Sequence, residues 1–294
     1  MKIYLLIPFI LLLSCNNAEE KKSVTQLKQA IVRLINKTEG DFAIAFRSLN
    51  GGESELFFNE KETFHAASTM KTPVMISLFE QEAAGKFSLQ DSILIRNSFK
   101  SILDGSTYQM DLGVDSQEAL YKRIGENATL YELMYEMIVH SSNLATNILI
   151  EEVGAANVTH LMRELGAEDI QVLRGVEDLK AYDAGLSNTT TALDMMLIME
   201  AIAKHKVAGS KKMISILSDQ HFNDLIPKYL PKEVKIAHKT GSISGVQHDA
   251  AILELPEGKQ YVLVILSKNL SDEEAGKACI AGISQLIYNH VKSL

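Results

Sequence analysis

Apolar residues near the start of the chain recur at intervals of three or four positions. The residues that share this spacing are Leu27, Ile31, Leu34 and Ile35. Such a spacing is typical of an amphipathic helix, and it predicts one over residues 24–37. Gly40 follows and ends the pattern.

Two strand-like runs come next, at residues 42–49 and 55–59, with Asn-Gly-Gly at residues 50–52 between them. Asn-Gly is a frequent hairpin turn, so these two runs are expected to pair. Three similar runs lie near the end of the chain, at residues 234–238, 246–255 and 260–267.

The region between the two groups of strands has helical periodicity, and a last helix is expected to begin with Ser271 as its cap. Strands from both ends of the chain can pair into one antiparallel sheet, which the N- and C-terminal helices would cover. The sequence therefore predicts an α+β fold. In it, residues 24–294 form one domain, with an all-α lobe inserted at about residues 69–225.

The first 15 residues differ from the rest of the chain. Lys2 precedes an apolar run over residues 3–13, which is too short to cross a membrane because a spanning helix needs about 20 residues. Cys15 follows directly. This arrangement is typical of a lipoprotein signal peptide that ends at a lipidated Cys15, with residues 16–23 as a tether; an ordinary signal peptide is the alternative. The protein is thus expected to be exported, facing the periplasm, and held at the membrane by its lipid alone.

Charge and cysteine content exclude several function classes. The chain has 294 residues, a net charge of -8 and no concentrated basic tract, so nucleic acid is not an expected partner. Its two cysteines are Cys15 and Cys279, and no Cys or His spacing is typical of a metal site. If Cys15 is lipidated, Cys279 has no disulfide partner and is expected to be buried. We expect neither a metal nor another cofactor.

Ser68 and Lys71 are candidates for a nucleophile and its base. A spacing of three at the start of a helix places both side chains on one face. A lysine whose pKa is lowered by burial can deprotonate a serine hydroxyl, and a helix N-terminus can stabilise an oxyanion. One Ser-x-x-Lys is expected by chance in roughly every chain of this length, so this motif carries little weight alone.

Ser141 and Asn143 form a second candidate motif, at the start of an apolar helical segment. A serine can relay a proton to a leaving nitrogen, and an Asn amide can bind a substrate amide. Both residue types are also frequent helix caps, and the two interpretations are compatible.

Lys239, Thr240 and Gly241 form a third motif, on a strand near the end of the chain. Lysine and threonine can bind a substrate carboxylate, and glycine lets the substrate backbone approach closely. The alternative is an exposed strand end. Such a triplet is expected by chance in about one chain in six of this length.

The three motifs, in this order and context, resemble those of class A β-lactamases and penicillin-binding serine hydrolases. The resemblance extends from about residue 24 to the C-terminus. It implies that Ser68 attacks a carbonyl carbon, that Lys71 helps to deprotonate Ser68, and that Ser141 passes a proton to the leaving nitrogen. Ser142 departs from the family pattern, which usually has Asp in the middle of the second motif.

The resemblance also implies a set of substrate-binding groups. Asn143 would hold an amide of the substrate, and Lys239 and Thr240 would bind its carboxylate. The oxyanion hole would consist of the backbone N–H groups of Ser68 and Ser242.

One loop departs from the family pattern. Class A enzymes carry Arg-x-Glu-x-x-Leu-Asn, whose Glu orients the deacylating water, but counting here from Arg174 or from Leu179 places Val176 at that position. Glu177 is one residue late. We expect it to act imperfectly, so that hydrolysis is real but slow; the alternative is a solvated loop residue. Asp178 is a second candidate with a shorter reach.

Three functions remain open. The first is a β-lactamase that opens the β-lactam ring through an acyl-enzyme on Ser68. The second is a DD-peptidase or other cell-wall amide hydrolase that acts on D-alanyl peptides, and the third is a sensor that stays acylated. In each case the partner is a small molecule or peptide and the protein is expected to be monomeric.

A Ser-His-acid triad is not expected, because Lys71 already supplies a base. The histidines near the motifs are His65, His140, His238 and His248.

Overall fold

Strands from both ends of the chain meet in the structure, a computed structural model that describes residues 24–50 and 54–294. The strands are β1 (Asp41–Ser48), β2 (Glu55–Phe58), β3 (Phe64–His65), β4 (Ser92–Leu94), β5 (Phe99–Lys100), β6 (Thr107–Tyr108), β7 (Asn127–Thr129), β8 (Thr189–Thr190), β9 (Lys235–Ile243), β10 (Val246–Glu254) and β11 (Gln260–Lys268). An antiparallel sheet of five strands has the order β2-β1-β11-β10-β9. The predicted α+β fold, with a sheet built from both ends of the chain, is confirmed.

Helices cover both faces of this sheet. They are α1 (24–35), α2 (Lys71–Ala83), α3 (Glu118–Tyr121), α4 (Leu130–Val139), α5 (Asn143–Val153), α6 (Ala155–Glu164), α7 (Leu179–Asp183), α8 (Ala192–Ala203), α9 (Ser210–Ser218) and α10 (Glu273–Ser293). Successive side chains of a strand point to opposite faces, so β1 contributes to two cores. Phe42, Ile44 and Phe46 pack with α1 and α10, whereas Ala43 and Ala45 face the inserted lobe.

The inserted lobe is mainly helical, and α2 lies in its interior. The first nine residues of this helix, Lys71–Phe79, are all buried. A helix that is covered on every side belongs to a core rather than to a surface. Lys71 is therefore placed in the interior by its helix, although a lysine is rarely buried without polar partners.

Short strand pairs within the lobe and at its start were not expected from the sequence. The pairs are β3–β8, β4–β7 and β5–β6, with two or three residues in each strand. Runs of this length cannot establish a period of two, which explains why sequence patterns do not reveal them. The β3–β8 pair helps to position the candidate site. It joins His65, three residues before Ser68, to Thr189.

The last helix begins one residue later than expected. Asp272, not Ser271, is the N-cap of α10, and its side chain accepts hydrogen bonds from the backbone N–H groups of Glu274 and Ala275. The Ser271 hydroxyl instead donates to Glu39. Asp and Ser are comparably good caps, so residue type alone does not choose between adjacent positions.

The predicted signal peptide, Cys15 and the tether lie outside the described residues. Within residues 24–50 and 54–294, no helix combines the length and the apolar character that a membrane crossing requires. Cys279 is a buried free cysteine of α10.

Candidate active site

Ser68 lies in a 3-10 turn, Ala67–Met70, that leads directly into α2. Ala67 has a φ of 44°, a left-handed conformation that non-glycine residues rarely adopt. Its backbone N–H donates to Nδ1 of His65 at 3.0 Å, and the Thr69 hydroxyl donates to the carbonyl of Ala66 at 2.6 Å. These contacts hold Ser68 half-buried at the wall of a cavity of about 720 Å³.

The Lys71 ammonium group is enclosed by oxygen atoms. Its Nζ donates to the carbonyl oxygen of Ser141 at 2.6 Å, to Oδ1 of Asn143 at 2.9 Å and to Oγ of Ser141 at 3.2 Å. Burial lowers the pKa of Lys71 to about 7, although the charges of Asp115 and Glu177 act in the opposite direction. Near neutral pH a large fraction of Lys71 is a free amine, which is what a general base requires.

Ser141 joins the two buried lysines. Its Oγ accepts a hydrogen bond from Nζ of Lys239 at 3.1 Å as well as the one from Lys71. Burial, together with the positive charge of Lys71, lowers the pKa of Lys239 well below its usual range. Ser141 has a φ of 57°. The helix cap expected in this motif is Ser142, whose hydroxyl accepts from the backbone N–H of Ala145 at 3.2 Å.

Strand β9 brings the third motif to the same cavity, which Thr240, Gly241 and Ser242 line. It is an edge strand, so backbone groups on its outer side are not used by the sheet and can bind a substrate. The close approach of a substrate backbone to Gly241 stays a prediction, and the structure gives a second reason for a glycine at this position. A Cβ atom at this position would lie 3.1 Å from the backbone nitrogens of both Ser68 and Thr69. The glycine therefore lets β9 itself approach the turn that carries the nucleophile.

The loop before α7 is attached to α5 by Asn147. The Asn147 amide accepts from the backbone N–H of Val176 at 2.6 Å and donates to the Val176 carbonyl at 3.0 Å. A Cβ atom on Gly175 would lie 2.3 Å from Oδ1 of Asn147, so only glycine fits beside this pair of bonds. Val176 is thus held by its backbone, and its apolar side chain has no acid–base chemistry.

Glu177 turns into the cavity in spite of its shifted position in the sequence. It has a φ of 60°, and its Oε1 accepts from Nδ2 of Asn143 at 2.9 Å. Its Oε2 accepts from the backbone N–H of Asp111 at 2.9 Å. Asp178 has a different role. Its carboxylate caps α7 through the N–H of Ala181 and also accepts from the N–H of Ile102, and only 2% of the residue is exposed.

Histidine contacts near the site are structural. His248 is buried, and burial lowers its pKa to about 4. The Ser267 N–H donates to its Nδ1, which also lies 2.9 Å from the carbonyl oxygen of Gln247, and its Nε2 lies 2.8 Å from the carbonyl oxygen of His65. His238 pairs with Asp249 at 2.9 Å within the sheet. Among the described residues, no hydrogen bond joins any histidine to Ser68.

The structure brings nearly all predicted site residues to one cavity or its wall, and it adds two that the sequence did not single out for the site. Asn147 fixes the loop, and it was visible only as part of the segment after the second motif. Asp115 is 7% exposed and accepts four hydrogen bonds beside Asn143, but no sequence motif contains it.

Comparison with known proteins agrees with this geometry. The model of the family described as "Beta-lactamase enzyme family" matches residues 26–291. A beta-lactamase of Rhodobacter capsulatus is 31% identical over 222 residues, which cover 74% of this chain and 70% of that protein. A beta-lactamase of Bacillus licheniformis is 25% identical over 255 residues, covering 84% and 78% of the two chains.

Solved structures show the same fold. A beta-lactamase from Sphaerobacter thermophilus DSM 20745 has a TM-score of 0.76 at 25% identity, covering 91% of this chain and 97% of that one. The structure of PBP-A has a TM-score of 0.78 at 26% identity, covering 92% and 97%. Ser68 and an edge strand line one cavity together with Ser141, which bonds to two buried lysines, and the family match spans nearly the whole described chain. The chain belongs to the beta-lactamase enzyme family and is a hydrolase of the β-lactam amide bond.

Proposed function

We propose that acylation occurs at Ser68 with Lys71 as the base. The observation that carries this proposal is the enclosed Lys71 amine, whose pKa is about 7, one helical turn from a half-buried serine at the cavity wall. Lys71 takes the hydroxyl proton, and Oγ of Ser68 bonds to the β-lactam carbonyl carbon. The resulting oxyanion is stabilised by the backbone N–H groups of Ser68 and Ser242.

Collapse of this intermediate breaks the C–N bond of the ring. Ser141 is suited to give the leaving nitrogen its proton, because its hydroxyl lies between the ammonium groups of Lys71 and Lys239 and can be reprotonated by either. Asn143 would bind the acyl-side amide, and Lys239 and Thr240 the substrate carboxylate.

Deacylation needs a base that orients a water molecule within hydrogen-bond reach of the ester. Glu177 is the carboxylate that supports this step, because it faces the cavity and touches Asn143. Both of its oxygens already accept a hydrogen bond, and its backbone is one residue away from the position that Asn147 fixes. We therefore expect slow hydrolysis of the acyl-enzyme.

A second candidate function is a penicillin-binding peptidase or sensor whose acyl-enzyme persists. Two observations favour it. Val176 occupies the position that Asn147 holds, and the fold matches that of PBP-A, a mutant of which was solved as an acyl-enzyme complex with penicillin G. Cleavage of a D-alanyl peptide by the wild-type protein would identify the peptidase.

Time-resolved mass spectrometry after addition of benzylpenicillin tests both proposals. Wild-type protein should gain the mass of one penicillin and then lose it as hydrolysed product, whereas Ser68→Ala should gain none. Glu177→Gln should acylate but keep the adduct much longer. Glu152→Gln, an exposed carboxylate at the far end of α5, is the charge-matched control and should behave as wild type.

The results separate the candidates. An adduct on Ser68→Ala would contradict the nucleophile. Equal adduct lifetimes in wild type and Glu177→Gln would remove Glu177 from the mechanism and favour the peptidase or sensor.

Export is typical of the beta-lactamase family. We propose in addition that a lipid on Cys15 anchors the exported protein to the membrane. It is supported by the apolar run over residues 3–13, which ends just before Cys15 and is too short to span a bilayer. Cys15→Ala should move the protein from the membrane fraction to the soluble fraction, while Cys279→Ala should not. Retention of Cys15→Ala in the membrane would contradict the anchor. A monomeric state is proposed as well, and light scattering of the released protein tests it.

A further inference from the structure

The turn that precedes α5 is unusual for its sequence. Ser141 has a φ of 57°, a conformation that a residue other than glycine adopts only when surrounding contacts impose it. Ser142, which stands where the family pattern has an acid, bonds through its hydroxyl to a single backbone donor, the N–H of Ala145. Another group must therefore fix the backbone between Ser141 and Leu144.

Asp115 provides that group from a separate segment. Its Oδ1 accepts from the backbone N–H of Asn143 at 3.1 Å, and its Oδ2 accepts from that of Leu144 at 2.8 Å. The N–H of Gln117 and the hydroxyl of Tyr121 complete the set at 3.1 and 3.0 Å. The first N–H groups of a helix have no partner within the helix and favour a negative charge, so a buried carboxylate here forms strong bonds.

The backbone that Asp115 holds carries groups which contact the proposed base. The carbonyl oxygen of Ser141 and Oδ1 of Asn143 both accept hydrogen bonds from Lys71. The amide nitrogen of Asn143 donates to Glu177. A shift of the N-terminus of α5 would therefore move acceptors away from Lys71 and a donor away from Glu177 together.

We propose that Asp115 is a positioning residue of this active site, which replaces the missing acid of the second motif and fixes Ser141 and Asn143 against Lys71. It acts through the backbone and does not touch the substrate. The inference rests on the proposed function, because the reaction that Asp115 supports is the acylation of Ser68.

The charge of Asp115 gives this role a signature of its own. The ionisable groups that surround Lys71 are Asp115, Glu177 and Lys239. The two carboxylates raise the pKa of Lys71 and so oppose the effect of burial. Loss of the Asp115 charge lowers the pKa of Lys71 further, so the free amine persists to lower pH. The acid limb, which is the fall of the acylation rate at low pH as Lys71 is protonated, then moves to lower pH. A partly unfolded enzyme would have a lower rate but the same acid limb, because its folded fraction keeps the pKa of Lys71.

Asp115→Asn in the full chain tests the inference, with nitrocefin acylation followed by stopped-flow absorbance from acid to alkaline pH. We expect acylation to slow on the order of tenfold to hundredfold, as for a displaced reacting group, with its acid limb at lower pH. Glu118→Gln removes an exposed carboxylate three residues away in the chain. It should leave both the rate and the limb unchanged.

Asp115→Glu keeps the charge but lengthens the arm, so it should slow acylation without moving the acid limb, and it covers the case in which Asp115→Asn does not fold. Wild-type acylation rates in a folded Asp115 variant would overturn the inference, as would an unshifted limb in Asp115→Asn. If the wild-type protein forms no adduct at Ser68, the proposed function fails instead.

Discussion

Strand β9 and the loop that carries Glu177 face the same cavity but are held in different ways. Nine consecutive residue pairs join β9 to β10, from Lys235 to Ile243. The loop has no such ladder. Val176 depends on side chains, mainly the paired bonds of Asn147 with a longer one from the Tyr108 hydroxyl, and the next residues depend on Asp178 and on a donor from Asp111.

This difference between strand and loop should affect acylation and deacylation differently. In the ladder, each backbone bond is supported by its neighbours, so the loss of one contact moves the strand little. In the loop, a few side-chain bonds fix Val176, so a small displacement there reaches the adjacent Glu177 directly. We expect acylation, which uses β9 and α2, to be robust, and deacylation, which uses the loop, to be fragile.

The largest effect is expected for Gly175→Ala. The new Cβ atom would lie 2.3 Å from Oδ1 of Asn147, so the loop must move and Val176 must lose its paired bonds. Displacement of Glu177 should lengthen the acyl-enzyme lifetime roughly hundredfold, with a much smaller effect on acylation. Mass spectrometry after benzylpenicillin measures the lifetime.

A double-mutant cycle supplies the control. In an Asn147→Ala background the atom that clashes is absent, so adding Gly175→Ala should change the lifetime little. Additive effects in the two backgrounds, or a wild-type lifetime in Gly175→Ala alone, would contradict the proposed fragility of the loop.

A smaller effect is expected for Gly241→Ala, on the other half-reaction. Its Cβ atom would lie 3.1 Å from the backbone nitrogen of Ser68, so β9 and the 3-10 turn must separate by a few tenths of an ångström. Weaker stabilisation of the oxyanion should slow acylation about tenfold. Stopped-flow nitrocefin kinetics measure this rate. If the variant instead prolongs the acyl-enzyme more than Gly175→Ala does, the comparison between strand and loop is wrong.

The smallest effect is a shift along the pH axis. Lys71 has a pKa of about 7 and acts as a base only when neutral, so the acylation rate should rise with pH through about 7. Glu177 raises the pKa of Lys71, so Glu177→Gln should move this rise to lower pH. Acylation rates of folded wild type and variant, measured across the range, check the direction. A rate that does not depend on pH would exclude Lys71 as the base.

Strand positions were largely predictable, and the exception has a physical reason. The runs at 246–255 and 260–267 correspond closely to β10 and β11. The apolar run at 234–238 marks only the first part of β9, which continues to Ile243 through the third motif, a motif already expected on a strand. Side chains of Lys239 and Thr240 interrupt the apolar pattern, but the hydrogen-bonded ladder depends on the backbone and continues through them.

For the loop that carries Glu177, the sequence predicted the residue register but not the conformation. Counting residues places Val176 at the family's acid position, and the bonds from Asn147 agree with that register. The inward turn of Glu177 was only a hypothesis from sequence. It depends on a left-handed backbone and on a donor at Asp111, a residue 66 positions away, and no local pattern encodes such a contact. The sequence contained one indication of the role of Asp115, which was the absence of an acid at Ser142.

The left-handed residues at the site set stability and activity against each other. Ala67, Ser141 and Glu177 have φ values of 44°, 57° and 60°. Each such residue costs roughly 1–3 kcal/mol of folding free energy, which glycine would largely recover. Laboratory evolution for heat resistance alone should therefore enrich glycine at these positions. At Ser141 and Glu177 that enrichment would remove the groups proposed for proton transfer, so thermostable descendants would bind β-lactams but turn them over poorly.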